Sequence, residues 1–276
     1  MYRIILPHIA LFIANTIYAI NYIFAKDVMP EYISPRAFIL IRVIGASIVF
    51  LVLHLVFIKE KTERQDIIYL FFCALFGIII NMLCFFEGLS ITTPINASLI
   101  MITTPIIVYV ISYSLGKEDH QATRFFGVLL GLFGAGVLIT DGNLAWTINN
   151  LGDVLVFLNA VSYAIYLILI KAMMVKYHPI TVLKNLFLIG LLILLPIGWP
   201  QCTEIDFQNM PAHIFWKSLF VVLFTTCIAY FLNIYAISKI RASTVAFYIY
   251  LQPLLATIFA IILGKDFLTG IKLGSA

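Results

Sequence analysis

The chain has 276 residues, of which 63% are hydrophobic and only 11% are charged, with a formal net charge of +4. A soluble domain usually contains about half apolar and roughly a quarter charged residues, so this chain has too few polar side chains to cover a globular core. The composition therefore excludes a soluble enzyme, a disordered tail and a nucleic-acid-binding protein. We expect lipid to surround most of the chain, with no nucleic acid as a partner.

Nine apolar runs follow one another along the chain, and each is long enough to cross a bilayer as a helix of about 20 residues. Short connections separate the runs and carry most of the charged residues. The sequence therefore predicts an all-α polytopic membrane protein. Its predicted spans are residues 4–24, 37–57, 67–87, 95–115, 124–140, 151–170, 180–198, 214–237 and 243–263.

The first and sixth runs share a motif. Tyr18-Ala19-Ile20 with Lys26 reappears 145 positions later as Tyr163-Ala164-Ile165 with Lys171. Ordered matches of this kind in several helices are typical of an internal duplication.

The fourth and ninth runs match best, at an offset of 148 positions. Pro105 falls on Pro253, and Leu115-Gly116-Lys117-Glu118 falls on Leu263-Gly264-Lys265-Asp266. A proline inside a span kinks a helix and frees a carbonyl group, which suits either a gating bend or a static packing kink.

The duplicated unit is five helices long, which predicts a first repeat over residues 1–142 and a second over 150–276. An odd number of crossings inserts the second copy with opposite orientation, as in alternating-access transporters. The second copy contains four spans and the start of a fifth. We therefore expect a ten-helix architecture whose tenth helix is missing or truncated in this sequence.

The distribution of Lys and Arg predicts a cytoplasmic N-terminus, because cytoplasmic loops are enriched in both residues. All three tryptophans, Trp146, Trp199 and Trp216, would then lie at the outer interface. With this orientation the inner side holds Arg3, Lys59, Lys61, Arg64, Lys117, Arg124, Lys171, Lys176, Lys184, Lys239 and Arg241. The outer side holds Lys26, Arg36, Lys217, Lys265 and Lys272.

The combination of these features resembles the EamA-type family of the drug/metabolite transporter superfamily. The resemblance rests on the tandem repeat, on Tyr18 and Lys26, on Pro35 followed by Arg42, and on the Gly-x-Glu turn at 116–118. The stretches 86–90 (Phe-Glu-Gly-Leu-Ser) and 94–100 (Pro-Ile-Asn-Ala-Ser-Leu-Ile) are similar to the region between that family's third and fourth helices.

This resemblance implies a ten-helix carrier with a central substrate cavity and no covalent chemistry. It also implies transport of small metabolites, commonly amino acids or related compounds. Export is the direction we favour, and the bacterial inner membrane is the expected location.

Arg42 and Glu87 are the two ionisable residues that stand out within predicted spans, where a charge costs about 2.5–3.5 kcal/mol on insertion scales. Both lie at a similar depth in the outer half of the membrane. We expect Arg42 either to contact an anionic group of the substrate or to hold Glu87 in an ion pair at an outer gate. Glu87 alone is either a solvated interfacial carboxylate or the acceptor of a coupling proton, because burial raises the pKa of a carboxyl group.

Polar side chains on the first and sixth helices form a second group of candidates, with hydroxyl, amide and aromatic surface for a cavity wall. Interhelical hydrogen bonding that only holds the bundle together is an equally good interpretation. The candidates are Asn15, Tyr18, Asn21, Asn159, Tyr163 and Tyr166. Weaker candidates on the fourth and ninth helices are Asn96, Tyr248, Tyr250 and Gln252.

The motifs of metal and nucleotide sites are absent from the sequence. Its four cysteines and five histidines show no ligand spacing, and there is no P-loop or dinucleotide fingerprint. We therefore predict a secondary transporter with no metal and no cofactor, driven by a gradient of substrate, protons or other ions. The alternatives are efflux of hydrophobic drugs, an intramembrane enzyme and a membrane receptor. The sequence leaves monomer and homodimer both open.

Overall fold

The computed structural model describes residues 2–116, 122–140 and 151–262. Within these ranges each apolar run is helical and there are no strands, because a backbone surrounded by lipid must satisfy its own hydrogen bonds. We number the nine helical segments of the described ranges α1 to α9. They are α1 Tyr2–Val28, α2 Pro35–Ile58, α3 Arg64–Ile91, α4 Pro94–Met101 with Thr104–Ser114, α5 Ala122–Thr140, α6 Leu151–Lys176, α7 Pro179–Cys202, α8 Ala212–Lys239, and α9 Ala242–Phe247, Tyr248–Tyr250 and Leu251–Ile262.

The prediction of an all-helical integral membrane protein is confirmed. Seven helices of the described ranges are long and apolar enough to cross a bilayer, and they belong to α1–α4 and α6–α8. Shorter apolar helical stretches, Phe125–Gly134 and Ala242–Leu255, lie in α5 and α9. The predicted start of a tenth helix falls in residues 263–276, outside the described residues.

Proline residues set several of the helix boundaries. Pro35, Pro94 and Pro179 each occupy the first turn of a helix, where the missing N–H costs nothing because the first N–H groups of a helix have no intrahelical acceptor. Each is preceded by a residue in extended conformation, as expected before proline.

The fourth and ninth runs are interrupted helices, although Asn96–Ser114 is still long and apolar enough to cross a bilayer. The helix of α4 ends at Met101 and resumes at Thr104, one residue before Pro105. In α9 a 3₁₀ turn over Tyr248–Tyr250 precedes the last helix, whose first turn contains Pro253. The proline ring clashes with the preceding turn and has no N–H to donate, so both halves break at the position that the repeat matches.

Two wide π-helical turns also lie at matched positions. One covers Leu75–Ile79 in α3, and the other covers Val221–Ile228 in α8. Moving the first by the repeat offset of 148 places it at 223–227, inside the second. Such turns disturb the regular backbone bonding of a helix and are frequent at functional sites.

One end of the bundle, which we call end A, holds the last turns of α1, α3 and α7 and the first turns of α2, α6 and α8. The hydroxyl of Ser34 donates to Gln201 Oε1 over 2.8 Å, which joins α2 to α7. Lys217 Nζ lies 2.5 Å from Asp27 Oδ2 and joins α8 to α1.

The opposite end of the bundle, end B, holds the last turns of α6 and α8 and the first turn of α3. Lys176 Nζ lies 3.0 Å from Asp66 Oδ1, and the hydroxyl of Tyr177 donates to the other oxygen of that carboxylate over 2.7 Å. The backbone N–H of His178 donates to Glu60 Oε2 over 3.0 Å.

The two lysines of the repeated motif make the same contact at opposite ends of the bundle. At end A, Lys26 Nζ donates to the carbonyls of Leu89, Ser90 and Thr92 over 2.9, 2.9 and 3.0 Å, at the end of α3. These carbonyls have no intrahelical donor, because the last four of any helix are unpaired.

At end B, Lys171 Nζ donates to the carbonyls of Ile237 and Ile240 over 2.6 and 2.8 Å, at the end of α8. These two acceptors lie 148 positions after Leu89 and Thr92. Each lysine therefore ties the helix that carries it to the last turn of a second helix of its own half.

We expect Lys26→Met and Lys171→Met each to lower the melting temperature in detergent by about 3–6 °C, because hydrogen bonds from a charged donor contribute about 1.5–3 kcal/mol. Lys61→Met, an exposed loop substitution, is the control and should melt like the wild type. A melting temperature unchanged in both capping variants would contradict the role of these lysines.

Candidate functional site

A cavity lies in the middle of the bundle, between residues from both halves of the chain. Its polar wall consists of Asn15, Tyr18, Asn21, Tyr22, Arg42, Asn81, Asn159, Tyr163, Thr225, Tyr230, Asn233 and Gln252. Its apolar wall consists of Met82, Phe85, Phe86, Met101, Val245 and Ile249.

Helical periodicity explains how α1 contributes four of these side chains. Asn15, Asn21 and Tyr22 each lie three or four positions from Tyr18, so the four side chains share one face of the helix. Apolar residues such as Ile9 and Phe12 cover another face and are exposed on the outside of the bundle. The polar face of α1 therefore lines the cavity while its apolar face suits lipid.

Arg42 is the only charged residue of the described part of the chain that lines the cavity. It is 2% exposed and lies on α2, about 10 Å below the start of that helix at Pro35. Its Nε donates to Thr226 Oγ1 over 2.8 Å, and the hydroxyl of Thr226 donates in turn to the carbonyl of Val221 over 3.0 Å. Both partners belong to the π-helical turn of α8.

The guanidinium of Arg42 also lies over an aromatic ring, with its central carbon 4.1 Å from the centroid of Phe86. Its Nη1 is buried and has no hydrogen-bond partner among the described residues. The described surroundings of this cation therefore offer one neutral oxygen and one π face, but no carboxylate.

The predicted ion pair between Arg42 and Glu87 is wrong. Glu87 Oε1 accepts from the Nε of Arg36 over 2.6 Å, at end A, and Glu87 does not line the cavity. Phe86 and Glu87 are neighbours on α3 and project about 100° apart. Because Phe86 lies beneath Arg42, Glu87 is turned away from it.

In this pair at end A, the side chain of Arg36 is 49% exposed and that of Glu87 is 29% exposed. Glu87 therefore matches its alternative interpretation as a partly solvated carboxylate at the interface. The burial that would favour it as a proton acceptor is not present.

Amide side chains form the hydrogen-bonded framework of the polar wall. Gln252 Nε2 donates to Asn15 Oδ1 over 2.8 Å, which joins α9 to α1. Asn233 Nδ2 donates to the hydroxyl of Tyr18 over 3.0 Å, which joins α8 to α1. These bonds hold neighbouring helices together, which is the alternative interpretation of such polar residues. The same side chains also line the cavity.

Two amide oxygens of the wall remain without a partner in the described structure, Asn21 Oδ1 and Asn159 Oδ1. The Nδ2 of Asn159 donates to the carbonyl of Asn81 over 2.8 Å. Only nitrogen can donate there, so the orientation of this amide is determined and its oxygen is the free atom. The wall thus contains two buried amide acceptors that are unpaired in the described structure.

Six of the eight principal candidate residues meet in the cavity: Asn15, Tyr18, Asn21, Arg42, Asn159 and Tyr163. Glu87, Tyr166 and the weaker candidate Asn96 do not line it. The backbone N–H of Asn96 donates to Thr93 Oγ1 at the start of α4, and the buried ring of Tyr166 packs against Gly77.

Of the weaker candidates on α9, Gln252 lines the cavity and the two tyrosines do not. The hydroxyl of Tyr248 lies 2.7 Å from His8 Nδ1, and the hydroxyl of Tyr250 donates to the carbonyl of Val128.

Asn81, Thr225, Tyr230 and Asn233 line the cavity but were not among the predicted site residues. The signal for Asn81 and Asn233 was present, because an amide inside an apolar run is costly unless it faces a partner or a cavity. Tyr230 and Asn233 are also three residues apart, so they share a helix face. Thr225 gave no comparable signal, since a threonine can satisfy its hydroxyl within its own helix.

The side chains of the site suit reversible, noncovalent binding of a solute. No group of His, Cys, Asp and Glu side chains suited to a metal ion occurs in the described ranges, and all four cysteines are free thiols. One positive charge, several amides and hydroxyls and an apolar wall can hold a small polar solute without covalent chemistry.

Comparisons with known proteins support a single family. The sequence profile of the EamA-like transporter family matches residues 5–140 and again residues 150–276. An uncharacterized transporter of Archaeoglobus fulgidus is 27% identical over 92% of this chain and 87% of its own length. The uncharacterized transporter YyaM of Bacillus subtilis is 25% identical over 75% of this chain and 69% of its own.

A solved crystal structure shares the fold. It superimposes with a TM-score of 0.74 at 14% identity, over 99% of this chain and 93% of the other.

The contact between Arg42 and Thr226 leads to a prediction about stability. We expect Thr226→Val to lower the free energy of unfolding by about 1–3 kcal/mol, because a buried charged donor loses its acceptor. Reversible unfolding in mixed detergent micelles measures this change.

Two further variants serve as controls for this prediction. Thr226→Ser keeps the hydroxyl and should stay near the wild type. Glu87→Gln should cost less than about 1 kcal/mol, because exposed ion pairs contribute little. Equal losses in the valine and serine variants would show that the hydroxyl does not support Arg42.

Proposed function

The chain belongs to the EamA-like transporter family, and we propose that it is a secondary carrier that moves small metabolites through the central cavity. The observation that carries this proposal is the cavity itself. It lies between the two halves, and the one charged side chain and the unpaired amide oxygens among its described residues point to a polar guest.

The matched elements of the two halves support an alternating-access mechanism between inverted repeats. The lysine caps occur at opposite ends of the bundle, and the broken helices and π turns recur at the repeat offset. In such carriers one half rocks against the other around a site near the membrane midplane. The cavity would then open at end A and end B in turn.

The ion pairs at the two ends suit this kind of movement. Lys217 with Asp27 and Arg36 with Glu87 lie at end A, and Lys176 with Asp66 lies at end B. At least one partner of each pair has an exposed fraction above 40%. Exposed pairs contribute only about 0–1 kcal/mol, so they can break and form again within a transport cycle.

Transport of this kind involves no covalent step, so the protein would not act as an enzyme. Its energy would come from a gradient of the substrate or of a coupling ion, and we favour export. Amino acids and related compounds are the first substrates to test, because the family resemblance suggests them.

The orientation that we propose places end B in the cytoplasm and end A outside the inner membrane. Trp199 and Trp216 support it, because both are exposed at end A, where an aromatic belt would lie. The Lys and Arg counts of the loops agree with the same orientation.

Flux through proteoliposomes tests the carrier proposal. We expect saturable counterflow of at least one labelled solute from a panel of amino acids, organic acids, nucleosides and a hydrophobic dye. Asn21→Leu should reduce that flux at least about tenfold, because it removes a free acceptor and fills the cavity.

The matched control is Asn209→Leu, an exposed substitution in the loop between α7 and α8, which should retain wild-type flux. Preference for the dye over every polar solute would favour the drug-efflux alternative. An absence of saturable flux with the whole panel would contradict a carrier.

Labelling of single cysteines tests the orientation. In a protein whose four cysteines are replaced by alanine, Gln208→Cys at end A should react with an impermeant maleimide in intact cells. Lys61→Cys at end B should react only after the cells are permeabilised. The reverse pattern would place the N-terminus outside.

A further inference from the structure

We propose that the cavity selects small organic monoanions that carry a neutral hydrogen-bond donor, and that Arg42 binds the anionic group. This inference rests on the proposed carrier function and names the class of its substrate. It separates net anions from zwitterionic amino acids, although both contain a carboxylate.

The first step is the charge of the cavity wall. Arg42 is its one charged side chain among the described residues, and no Asp or Glu of those residues lines the wall. Two carboxylates at end A are engaged elsewhere, with Glu87 bound to Arg36 and Asp27 bound to Lys217. The described wall therefore carries one uncompensated positive charge.

The second step is the geometry of this cation. Its Nε is occupied by Thr226 and one face lies on Phe86, while Nη1 has no partner in the described structure. A buried charge without a counter-ion costs several kcal/mol. A carboxylate of a guest would remove that cost and could bind the planar guanidinium fork.

The third step concerns the rest of the guest. Asn21 Oδ1 and Asn159 Oδ1 are unpaired acceptors, so they call for a hydroxyl or N–H donor. Phe85 and Met82 offer apolar contact. An ammonium group would need a compensating negative charge, and the described wall supplies none. A hydroxy acid therefore fits better than the amino acid of the same skeleton.

The test compares three compounds with one carbon skeleton: 3-phenyllactate (anion), phenylalanine (zwitterion) and 3-phenyllactamide (neutral). Calorimetric titration of the detergent-purified full chain measures their binding without requiring transport. We expect 3-phenyllactate to bind at least about tenfold more tightly than the other two, the effect of one well-placed ion pair.

Two arginine variants on the same helix make the assignment specific. Arg42→Gln should reduce the preference for the anion to less than about twofold. Arg36→Met, which alters the exposed pair at end A, should keep the wild-type preference. The wild-type ranking of the three compounds decides the question even where Arg42→Gln does not fold.

Other rankings would overturn the inference. These are phenylalanine or 3-phenyllactamide binding as tightly as 3-phenyllactate, no binding of the anion, or an anion preference that survives in Arg42→Gln. Saturable flux of solutes without an anion preference would overturn only this inference and leave the carrier intact. An Arg42-dependent preference without any flux would support the site and contradict the carrier.

Discussion

The structure depends on one constraint, which is that backbone N–H and C=O groups surrounded by lipid must find partners within the protein. Regular helices meet the constraint alone. The irregular places need help from side chains. Lys26 and Lys171 supply donors to the last carbonyls of α3 and α8, and the hydroxyl of Thr226 donates to a carbonyl in the π turn of α8. The irregular segments lie next to the cavity or at the bundle ends, where the proposed carrier would move.

The same constraint bears on the charged residues. Arg36 with Glu87 and Lys217 with Asp27 form partly exposed pairs at end A, and Lys26 and Lys171 cap helix ends. Arg42 is buried in the cavity wall among neutral groups. The position of the repeat that corresponds to it, judged from Pro35 and Pro179, holds Leu186. The two halves share a backbone plan, but the cation occurs in one half only, so the cavity is chemically asymmetric.

Much of the fold could be predicted from the sequence, because apolar runs of about 20 residues bounded by charges have few alternatives to a spanning helix. Six of the predicted site residues line one cavity, since amides, tyrosines and an arginine in such runs are costly unless they face a cavity or a partner. The depth of a residue in the membrane could be estimated from its position along a helix. The direction in which its side chain points around the helix axis could not. That is why Arg42 and Glu87 looked like partners, although Phe86 occupies the side facing Arg42. The π turns and the lysine caps also could not be predicted, because they depend on contacts between distant helices.

The single charge among the described residues of the cavity wall has an electrical consequence. If a monoanion neutralises Arg42, the loaded carrier moves through the membrane field with no net charge at its centre, while the empty carrier returns with one positive charge. Membrane voltage then acts on the return of the empty protein and leaves the loaded step almost untouched. An interior-negative potential would favour the conformation in which the unloaded site faces the cytoplasm. A substrate for export would bind from that side.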